Sequence, residues 1–405
     1  MYNKYLGVNK LESGIISKKT VIEMLDKITN IVRQANSESH SLFGGELARA
    51  FYFSYLFECS NEKKYGDIAL ESFEKVIAHF NAGKAILYGP YLCNGLTGLL
   101  YVILLFIKNG LVKEYTKEEL EPLVEHLTEA AVIGIKHDNN DFIHGSFGTL
   151  YTIAEFAKFS NNYKYLDKLL NQIEYKYFQS QAQWIPCGQD EDSTNFKINI
   201  SLSHGQSGLL LALFHAYNVL GFQEKAKNYL CRNMDYIVGL KNDTPYDKTY
   251  SYFPSIIDTR DDTKIPSGRL AWCYGDLGQV LLLNHASSFF KKRSYADIAN
   301  DIGIKTTRRL SHEETLILNT HLCHGSAGVA QIYKVLYENT SISEYKGAYY
   351  HWIKETIRMC EDELSNPVNK KQTLNLAEGF LGVGLVLMSF LSPKRLDWSS
   401  VMLIN

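Results

Sequence analysis

The chain alternates between stretches that are apolar on all sides and stretches that carry one charged face. An apolar stretch with no polar face is expected to be buried on all sides. Period alone does not separate a buried helix from a buried strand, but several of these runs extend past ten residues and contain Ala, Leu and Met, which favours helix. Clear examples are residues 99–106, 209–214 and 383–388.

Amphipathic segments lie between the apolar stretches and predict a second set of helices, which cover the first. Seven alternations of this kind, with no strand-rich block, predict an all-α fold. We expect an α/α toroid of about seven inner and seven outer helices, forming a single domain over residues 1–405, with the inner helices around a central cavity. The amphipathic segments are residues 19–34, 67–80, 118–135, 165–178, 224–240, 295–310 and 345–364.

A short motif, x-Gly-x-x-Gly, stands directly before the apolar stretches. A degenerate copy at residues 43–48 has Ala48 where the second glycine is expected. Glycine permits tight turns and close backbone approach, so each motif is predicted to begin an inner helix at one common rim. The six full copies have first glycines spaced 50, 60, 70, 50 and 54 residues apart, namely Gly95, Gly145, Gly205, Gly275, Gly325 and Gly379.

Two longer segments, residues 183–200 and 241–268, account for the 60- and 70-residue spacings. They are rich in Asp, Asn, Ser, Thr, Pro and Gly, and each directly precedes a rim motif. Such loops either wall a functional site or are plain surface insertions. The sequence leaves both interpretations open.

Composition narrows the class of protein. Of 405 residues 45% are hydrophobic and 21% charged, which suits a globular chain with a large core. Forty-two basic and forty-four acidic residues give a net charge of −2, so no field attracts nucleic acid or an anionic membrane. Residues 1–14 have no apolar targeting segment, and the longest apolar run, residues 99–107, is too short to span a membrane. We predict a cytoplasmic protein without membrane insertion.

Two thiols and an imidazole fall at matching positions of two repeats. Cys273 lies in Trp272-Cys273-Tyr274-Gly275, and Cys323 and His324 precede Gly325. Three such ligands suit a catalytic zinc ion, which keeps a fourth position for water or substrate. The sequence therefore predicts one Zn²⁺ per chain, against the alternative of buried core residues.

The remaining cysteines have no metal-type ligand beside them in a recurrent motif. Seven cysteines scattered over a long chain argue for reduced thiols rather than a disulfide framework. We predict that these five are small buried apolar side chains. They are Cys59, Cys93, Cys187, Cys231 and Cys360.

The charge of the predicted metal centre points to a reaction. Zn²⁺ with two thiolates and a neutral imidazole has a formal charge near zero. A third thiolate can therefore bind without a large loss of nucleophilicity. Metal binding keeps a thiol deprotonated at neutral pH. A substrate thiol in the open position would be a metal-held nucleophile, which suits sulfur alkylation better than hydrolysis.

Proton transfer needs further residues at the same rim. His204, directly before Gly205, suits general acid/base catalysis. Asp141 stands four residues before Gly145 and Arg269 four before Cys273, so each could reach the cavity mouth; either could equally be an ion-paired structural residue. His144 is a candidate by symmetry, and a structural role is the alternative for both histidines. The predicted ring before the first glycines comprises Asn94, His144, His204, Tyr274, His324 and Glu378.

These motifs resemble the LanC family, the lanthionine synthetase C-like cyclases of lantibiotic biosynthesis. The resemblance runs over nearly the whole chain, through the Gly-x-x-Gly series and His204-Gly205. Its most specific parts are Arg269-x-x-Trp272-Cys273-Tyr274-Gly275 and Cys323-His324-Gly325. It implies an α/α toroid with a zinc ion at one end of the cavity, held by Cys273, Cys323 and His324.

The resemblance also implies an activity: addition of peptide Cys thiols to dehydroalanine or dehydrobutyrine, which forms lanthionine or methyllanthionine rings. His204 would protonate the enolate carbon or relay a proton, and Asp141 would orient His204 or stabilise its charged form. Arg269 and Tyr274 would shape the site. Without a preceding kinase-like or dehydratase-like region, the chain resembles the stand-alone cyclase of class I systems.

Three other functions stay open. A protein prenyltransferase β subunit also holds a thiolate on zinc, but its ligands include a carboxylate. An α/α-barrel glycosidase needs two carboxylates, for which Asp141 and Glu378 are the rim candidates. A non-catalytic relative would bind thiols or peptides, or act as a scaffold in a synthetase complex. The expected partners are a dehydrated precursor peptide, a separate dehydratase and a membrane exporter.

Overall fold

The computed structural model describes residues 16–112, 115–180, 182–187, 196–221, 224–246, 249–365 and 373–405. Seven helices in this part of the chain begin at the glycine motifs, and most of their residues are buried. We call them the inner helices. They are α2 (Glu46–Ser60), α4 (Leu96–Lys108), α6 (Ser146–Ser160), α8 (Gln206–Leu220), α10 (Asp276–Phe290), α13 (Ser326–Thr340) and α15 (Phe380–Leu391).

Seven amphipathic helices alternate with the inner ones, as the sequence predicts. Each buries one face, such as Val21, Leu25 and Ile28 in the first of them. A one-turn helix, α12 (His312–Thr315), adds to them. They are α1 (Lys18–Gln34), α3 (Lys63–Asn81), α5 (Lys117–Lys136), α7 (Lys164–Ile173), α9 (Glu224–Gly239), α11 (Arg293–Thr306) and α14 (Ser343–Ser365).

The first glycine of each motif is the N-cap of an inner helix, and the six such glycines from Gly45 to Gly325 lie against the backbone of their own turns. A Cβ atom on Gly95 would lie 2.2 Å from the carbonyl oxygen of Gly89, and one on Gly325 2.4 Å from the nitrogen of His321. Gly275 also has a φ of +103°, where side chains other than hydrogen are strained. Close approach therefore explains the first glycine of the motif.

The chain divides into two compact units, and one of them comprises Leu87–Ile317. Within it, inner helices that are consecutive in sequence pack side by side: α4 on α6, α6 on α8, and α8 on α10. The amide of Cys93 donates to the carbonyl of Ile143 over 3.2 Å and so joins two successive motif turns.

The other unit comprises Met1–Ile86 and Leu318–Asn405. Here α13 packs on α15 and α15 on α2, while α1 packs against α15. Its motif turns are joined by backbone hydrogen bonds from Cys323 to Ala377 (2.8 Å) and from Leu376 to Phe43 (3.0 Å). The single-domain assignment over residues 1–405 stays a prediction.

Three short strands form an antiparallel sheet in the two long segments before Gly205 and Gly275. Strand β1 (Lys197–Asn199) pairs with β2 (Ile256–Asp258), which pairs with β3 (Thr263–Ile265). These strands were not predicted because three-residue segments carry no periodic signal, and the pairing of β1 with β2 joins positions about sixty residues apart. Part of the first segment, residues 188–195, and residues 247–248 of the second lie outside the described residues.

No helix among the described residues is both long enough and apolar enough to cross a membrane.

Candidate active site

The predicted metal ligands lie in the turns that lead into α10 and α13. Cys273 is buried, whereas Cys323 and His324 are half-buried. Each offers one ligand atom, and these three atoms lie within 4.8 Å of one another. The structure thus brings the three predicted ligands together, and they could hold a metal ion.

The donor set fits zinc. Zn²⁺ binds thiolate sulfur at about 2.3 Å and imidazole nitrogen at about 2.0 Å. Ligands around one tetrahedral ion are then separated by roughly 3.5–4 Å, which the observed upper limit of 4.8 Å accommodates after small side-chain rotations. Two sulfurs and one nitrogen disfavour Mg²⁺ and Ca²⁺, which take oxygen ligands.

Asp141 and His204 form a buried hydrogen-bonded pair. Asp141 is fully buried, and its Oδ2 lies 2.7 Å from Nδ1 of His204. Its Oδ1 accepts backbone N–H groups from Ile143 (2.7 Å) and His144 (2.6 Å). Because a carboxylate has no proton to donate, Nδ1 of His204 must carry one, and Nε2 is the nitrogen left for other chemistry.

The surroundings of His204 favour its protonated form. Burial by itself would lower the pKa of His204, but the hydrogen bond and the negative charge of Asp141, together with Cys273, outweigh it and raise the pKa above 6.5. The imidazole is still about one third exposed. It can therefore hold a proton near neutral pH and remain accessible to a ligand.

His144 lies next to this pair, and its pKa is shifted in the opposite direction to that of His204. Its ring is parallel to that of His204, with 7° between the planes and 6.0 Å between the centroids. Burial lowers its pKa, in opposition to the charge of Asp141. The two symmetry-related histidines thus differ in charge tendency, because only the His204 imidazole is hydrogen-bonded to the carboxylate, whereas His144 contacts it through its backbone N–H.

Arg269 and Tyr274 flank Cys273 in the same segment, and both are half-buried. None of the described residues forms an ion pair with the Arg269 guanidinium. The hydroxyl of Tyr274 accepts a long hydrogen bond of 3.4 Å from the Asn199 side chain, in β1. The small sheet therefore contacts one of the predicted site residues.

Asp276, the first residue of α10, is a functional candidate that the sequence analysis missed. It is fully buried and accepts the N–H groups of Tyr252 and Phe253 over 2.9–3.1 Å, with Arg309 at 3.7 Å. Burial raises its pKa to about 6, against the opposing effects of Arg309 and the two N–H groups. The Asp276 side chain therefore links the segment before Gly275 to α10, the helix that follows Cys273. The sequence signal that could have identified Asp276 is its position directly after a motif glycine.

The other five cysteines are free thiols. Burial raises the pKa of each, to about 12 for Cys59, Cys93 and Cys360, and it also raises the pKa of Cys187 and Cys231. A thiol that stays protonated is a poor nucleophile and a poor metal ligand.

The fold can be compared with solved structures. Nisin cyclase matches with a TM-score of 0.72 and 18% sequence identity, covering 96% of this chain and 97% of that chain. This likeness confirms the predicted all-α fold, the helical α/α toroid. A possible member of the GH105 family from Salmonella enterica subsp. enterica serovar Paratyphi A matches with a TM-score of 0.41 and 13% identity, covering 88% of this chain and 98% of that one. That value is too low to support a conclusion.

A search of curated proteins finds no match to the sequence. A family model described as lanthionine synthetase C-like protein, however, matches residues 49–403. This range contains all the inner helices after the first turns of α2, together with the three candidate metal ligands. The chain therefore belongs to the lanthionine synthetase C-like family.

Proposed function

We propose that this protein is a zinc-dependent lanthionine synthetase. It adds Cys thiols of a dehydrated precursor peptide to dehydroalanine or dehydrobutyrine, and so forms lanthionine and methyllanthionine rings. The observation that carries the proposal is the convergence of Cys273, Cys323 and His324 within 4.8 Å. Membership of the family and the likeness to nisin cyclase support it.

Cys273, Cys323 and His324 would hold one zinc ion per chain. When bound, the ion supplies a position where a substrate thiol loses its proton and stays nucleophilic. The group contains no carboxylate, which disfavours a site of the prenyltransferase type. Both oxygens of Asp141 are engaged within the protein, which disfavours its use as a glycosidase carboxylate.

The pair of Asp141 and His204 supplies the proton that the product needs. Attack of sulfur on the β-carbon forms a C–S bond and moves the electron pair of the C=C bond into an enolate. His204, kept protonated by Asp141, gives a proton to the α-carbon from Nε2, and solvent replaces it. Asp141 is a positioning residue, because it acts through His204 and its oxygens are fully buried.

Arg269 and Tyr274 would orient the peptide. The half-buried guanidinium of Arg269, which forms no ion pair with a described residue, can bind the carbonyl oxygen on which the enolate charge develops. Tyr274 can donate its hydroxyl proton, since its hydrogen bond with Asn199 uses the oxygen as an acceptor.

The test is loss of free thiols from a dehydrated precursor peptide. Cyclisation does not change the peptide mass, so N-ethylmaleimide is used to label the remaining thiols before mass spectrometry. The wild-type protein with about one zinc per chain should remove thiols. The His204→Ala variant should retain zinc but cyclise about 10²–10⁴-fold more slowly, which is the usual contribution of a general acid. Unimpaired cyclisation by this variant would contradict the assignment of His204.

A non-catalytic role as a thiol- or peptide-binding scaffold in a synthetase complex is the second candidate. Zinc content without thiol loss from any dehydrated peptide would favour it. For the active enzyme, a separate dehydratase and a membrane exporter are the proposed partners, and the cytoplasm the proposed compartment.

A further inference from the structure

His321 occupies the position at which a side chain caps the turn in two other motifs. Four residues before the first glycine, Asp141 and Asn375 each accept two backbone N–H groups of their own turn with one side-chain oxygen. Asp141 binds the N–H groups of the second and third residues after it, and Asn375 does the same at 2.8 and 2.7 Å. His321 forms no such bonds, so its imidazole does not cap its turn.

The ring of His321 lies beside the metal-ligand candidate His324. The two rings meet edge to face, with 76° between the planes and 5.9 Å between the centroids. Nδ1 of His321 is buried and has no hydrogen-bond partner in the part of the chain that the structure describes. A buried nitrogen without a partner is costly and requires an explanation.

Another histidine pair in the same unit shows the geometry of a direct hydrogen bond between two imidazole rings. His40 and His79 meet at 71° with centroids 4.8 Å apart, and their facing nitrogens are 2.5 Å apart. The pair of His321 and His324 has nearly the same angle with centroids 1.1 Å farther apart. A direct bond between His321 and His324 would need side-chain rotations that bring the rings closer by about this distance.

The backbone of the turn is held independently of these rings. The amide of Thr320 donates to Glu363 over 2.8 Å, and the amide of Cys323 donates to the carbonyl of Ala377 over 2.8 Å. The orientation of the His324 ring is thus a matter of side-chain torsions. A histidine that binds a metal nearly always donates its other ring N–H to an acceptor, which fixes its orientation.

We propose that His321 is a positioning residue for His324: its Nδ1 accepts the N–H of the His324 ring nitrogen that does not bind the metal. Nε2 of His321 then carries the proton of this neutral ring. The inference rests on the proposed zinc site and deepens it, since it names the residue that orients one of the three ligands.

The test measures zinc binding rather than activity alone. The His321→Phe variant keeps a planar ring and removes the acceptor, whereas His321→Gln offers an acceptor oxygen. Zinc affinity is measured by competition with a chromophoric chelator, and the geometry by the visible absorption of the Co²⁺-substituted protein. We expect His321→Phe to bind zinc about 10–100-fold more weakly, the usual effect of removing such a partner, with an altered Co²⁺ spectrum. His321→Gln should recover most of the affinity.

Ser201→Ala is the matched control, because Ser201 stands four residues before Gly205 and its buried hydroxyl also has no partner. This variant should bind zinc like the wild-type protein. Urea unfolding of all variants without metal detects any general loss of stability.

Wild-type zinc affinity and an unchanged Co²⁺ spectrum in His321→Phe would overturn the inference and leave the proposed function intact. Loss of affinity in His321→Ala but not in His321→Phe would also overturn it, since packing alone would then explain the effect. A wild-type protein that bound no zinc would overturn the inference and the zinc dependence of the proposed function together.

Discussion

At the scale of single residues, the Asp141 side chain both stabilises its own turn and binds the proposed acid His204. One of its oxygens caps its own turn through the N–H groups of Ile143 and His144, and the other binds Nδ1 of His204, sixty-three residues later in the chain. The turn therefore fixes the carboxylate, and the carboxylate fixes the tautomer and the charge of His204. A fully buried carboxylate is stable here because its oxygens accept three hydrogen bonds.

Asp141→Asn tests this coupling. Asparagine can still cap the turn, but it removes the negative charge that raises the pKa of His204. We expect the pKa of His204 to fall, so that cyclisation declines at a lower pH than in the wild-type protein. NMR titration of the imidazole and the pH profile of thiol loss measure the two effects.

The same substitution changes the dependence of stability on pH. The folded-state pKa of His204 is raised above 6.5, so its contribution to the free energy of unfolding is complete below that pH and is lost as pH rises through the folded pKa. Asp141→Asn should weaken this loss. An unchanged pKa of His204 in the variant would show that Asp141 does not control its charge.

At the scale of elements, the repeated unit is a tight turn followed by a buried helix. The first glycine lets the chain pass close to its own backbone. The backbone N–H of the following residue can then donate to a carbonyl seven residues earlier, as the N–H of Ser326 does to Asn319 over 3.0 Å and that of Ser146 to Asn139. The second glycine lies where a side chain would meet the preceding turn: a Cβ on Gly328 would be 1.8 Å from the carbonyl oxygen of Leu322. The turn thus places the residue before the first glycine, His144 or His324, in a similar way in these two repeats.

Gly325→Ala should distort the turn that carries Cys323 and His324. The new Cβ would lie 2.4 Å from the nitrogen of His321 and 2.5 Å from the carbonyl oxygen of Asn319, so we expect a loss of about 1–3 kcal/mol in the free energy of unfolding, as for other overpacked positions. Zinc affinity should also fall. Urea unfolding and chelator competition measure these effects.

Gly347→Ala is the matched control for this change. Gly347 lies within α14, and a Cβ there meets nothing within 4 Å. Alanine has the higher helix propensity, so this variant should be as stable as the wild-type protein or more stable by up to about 1 kcal/mol. Equal stability of the two alanine variants would contradict the role of the turn.

At the scale of the whole molecule, zinc should couple to folding. Cys273 and Cys323 are fifty residues apart in sequence, so their sulfurs share one ion only when the chain is folded. A ligand that binds only the folded state stabilises it by mass action. Zinc affinity therefore also reports on whether the chain is folded.

Removal of zinc should lower the melting temperature. With free zinc at about one hundred times its Kd, the folded protein gains about 2.7 kcal/mol, and addition of a chelator should abolish the gain. Differential scanning calorimetry with and without zinc measures it. Cys323→Ala should show no zinc-dependent shift, whereas Cys231→Ala, which changes a half-buried thiol on α9 outside the ligand group, should retain it. The same shift in both variants would place the bound zinc elsewhere.

Much of the fold was predictable from the sequence because its signals are local. The charged faces of the outer helices and the uninterrupted apolar runs of the inner ones reflect burial within each segment. The predicted 118–135 differs by one residue at each end from the observed helix Lys117–Lys136. The small sheet was not predictable in this way. Its strands, such as Lys197–Asn199, are defined by their pairing with distant residues.

The glycine spacing along the chain shows which residues stand at equivalent positions, because each tight turn needs glycine at fixed places and so marks the repeat. This spacing therefore identified Cys273, Cys323 and His324 as a candidate ligand set, and Asp141 and His204 as candidates beside it. The differences in chemistry between equivalent residues became visible in the folded structure alone. Contact with Asp141 raises the pKa of His204, while burial lowers that of His144. Hydrogen bonds and burial depend on what packs nearby, and spacing along the chain does not encode that.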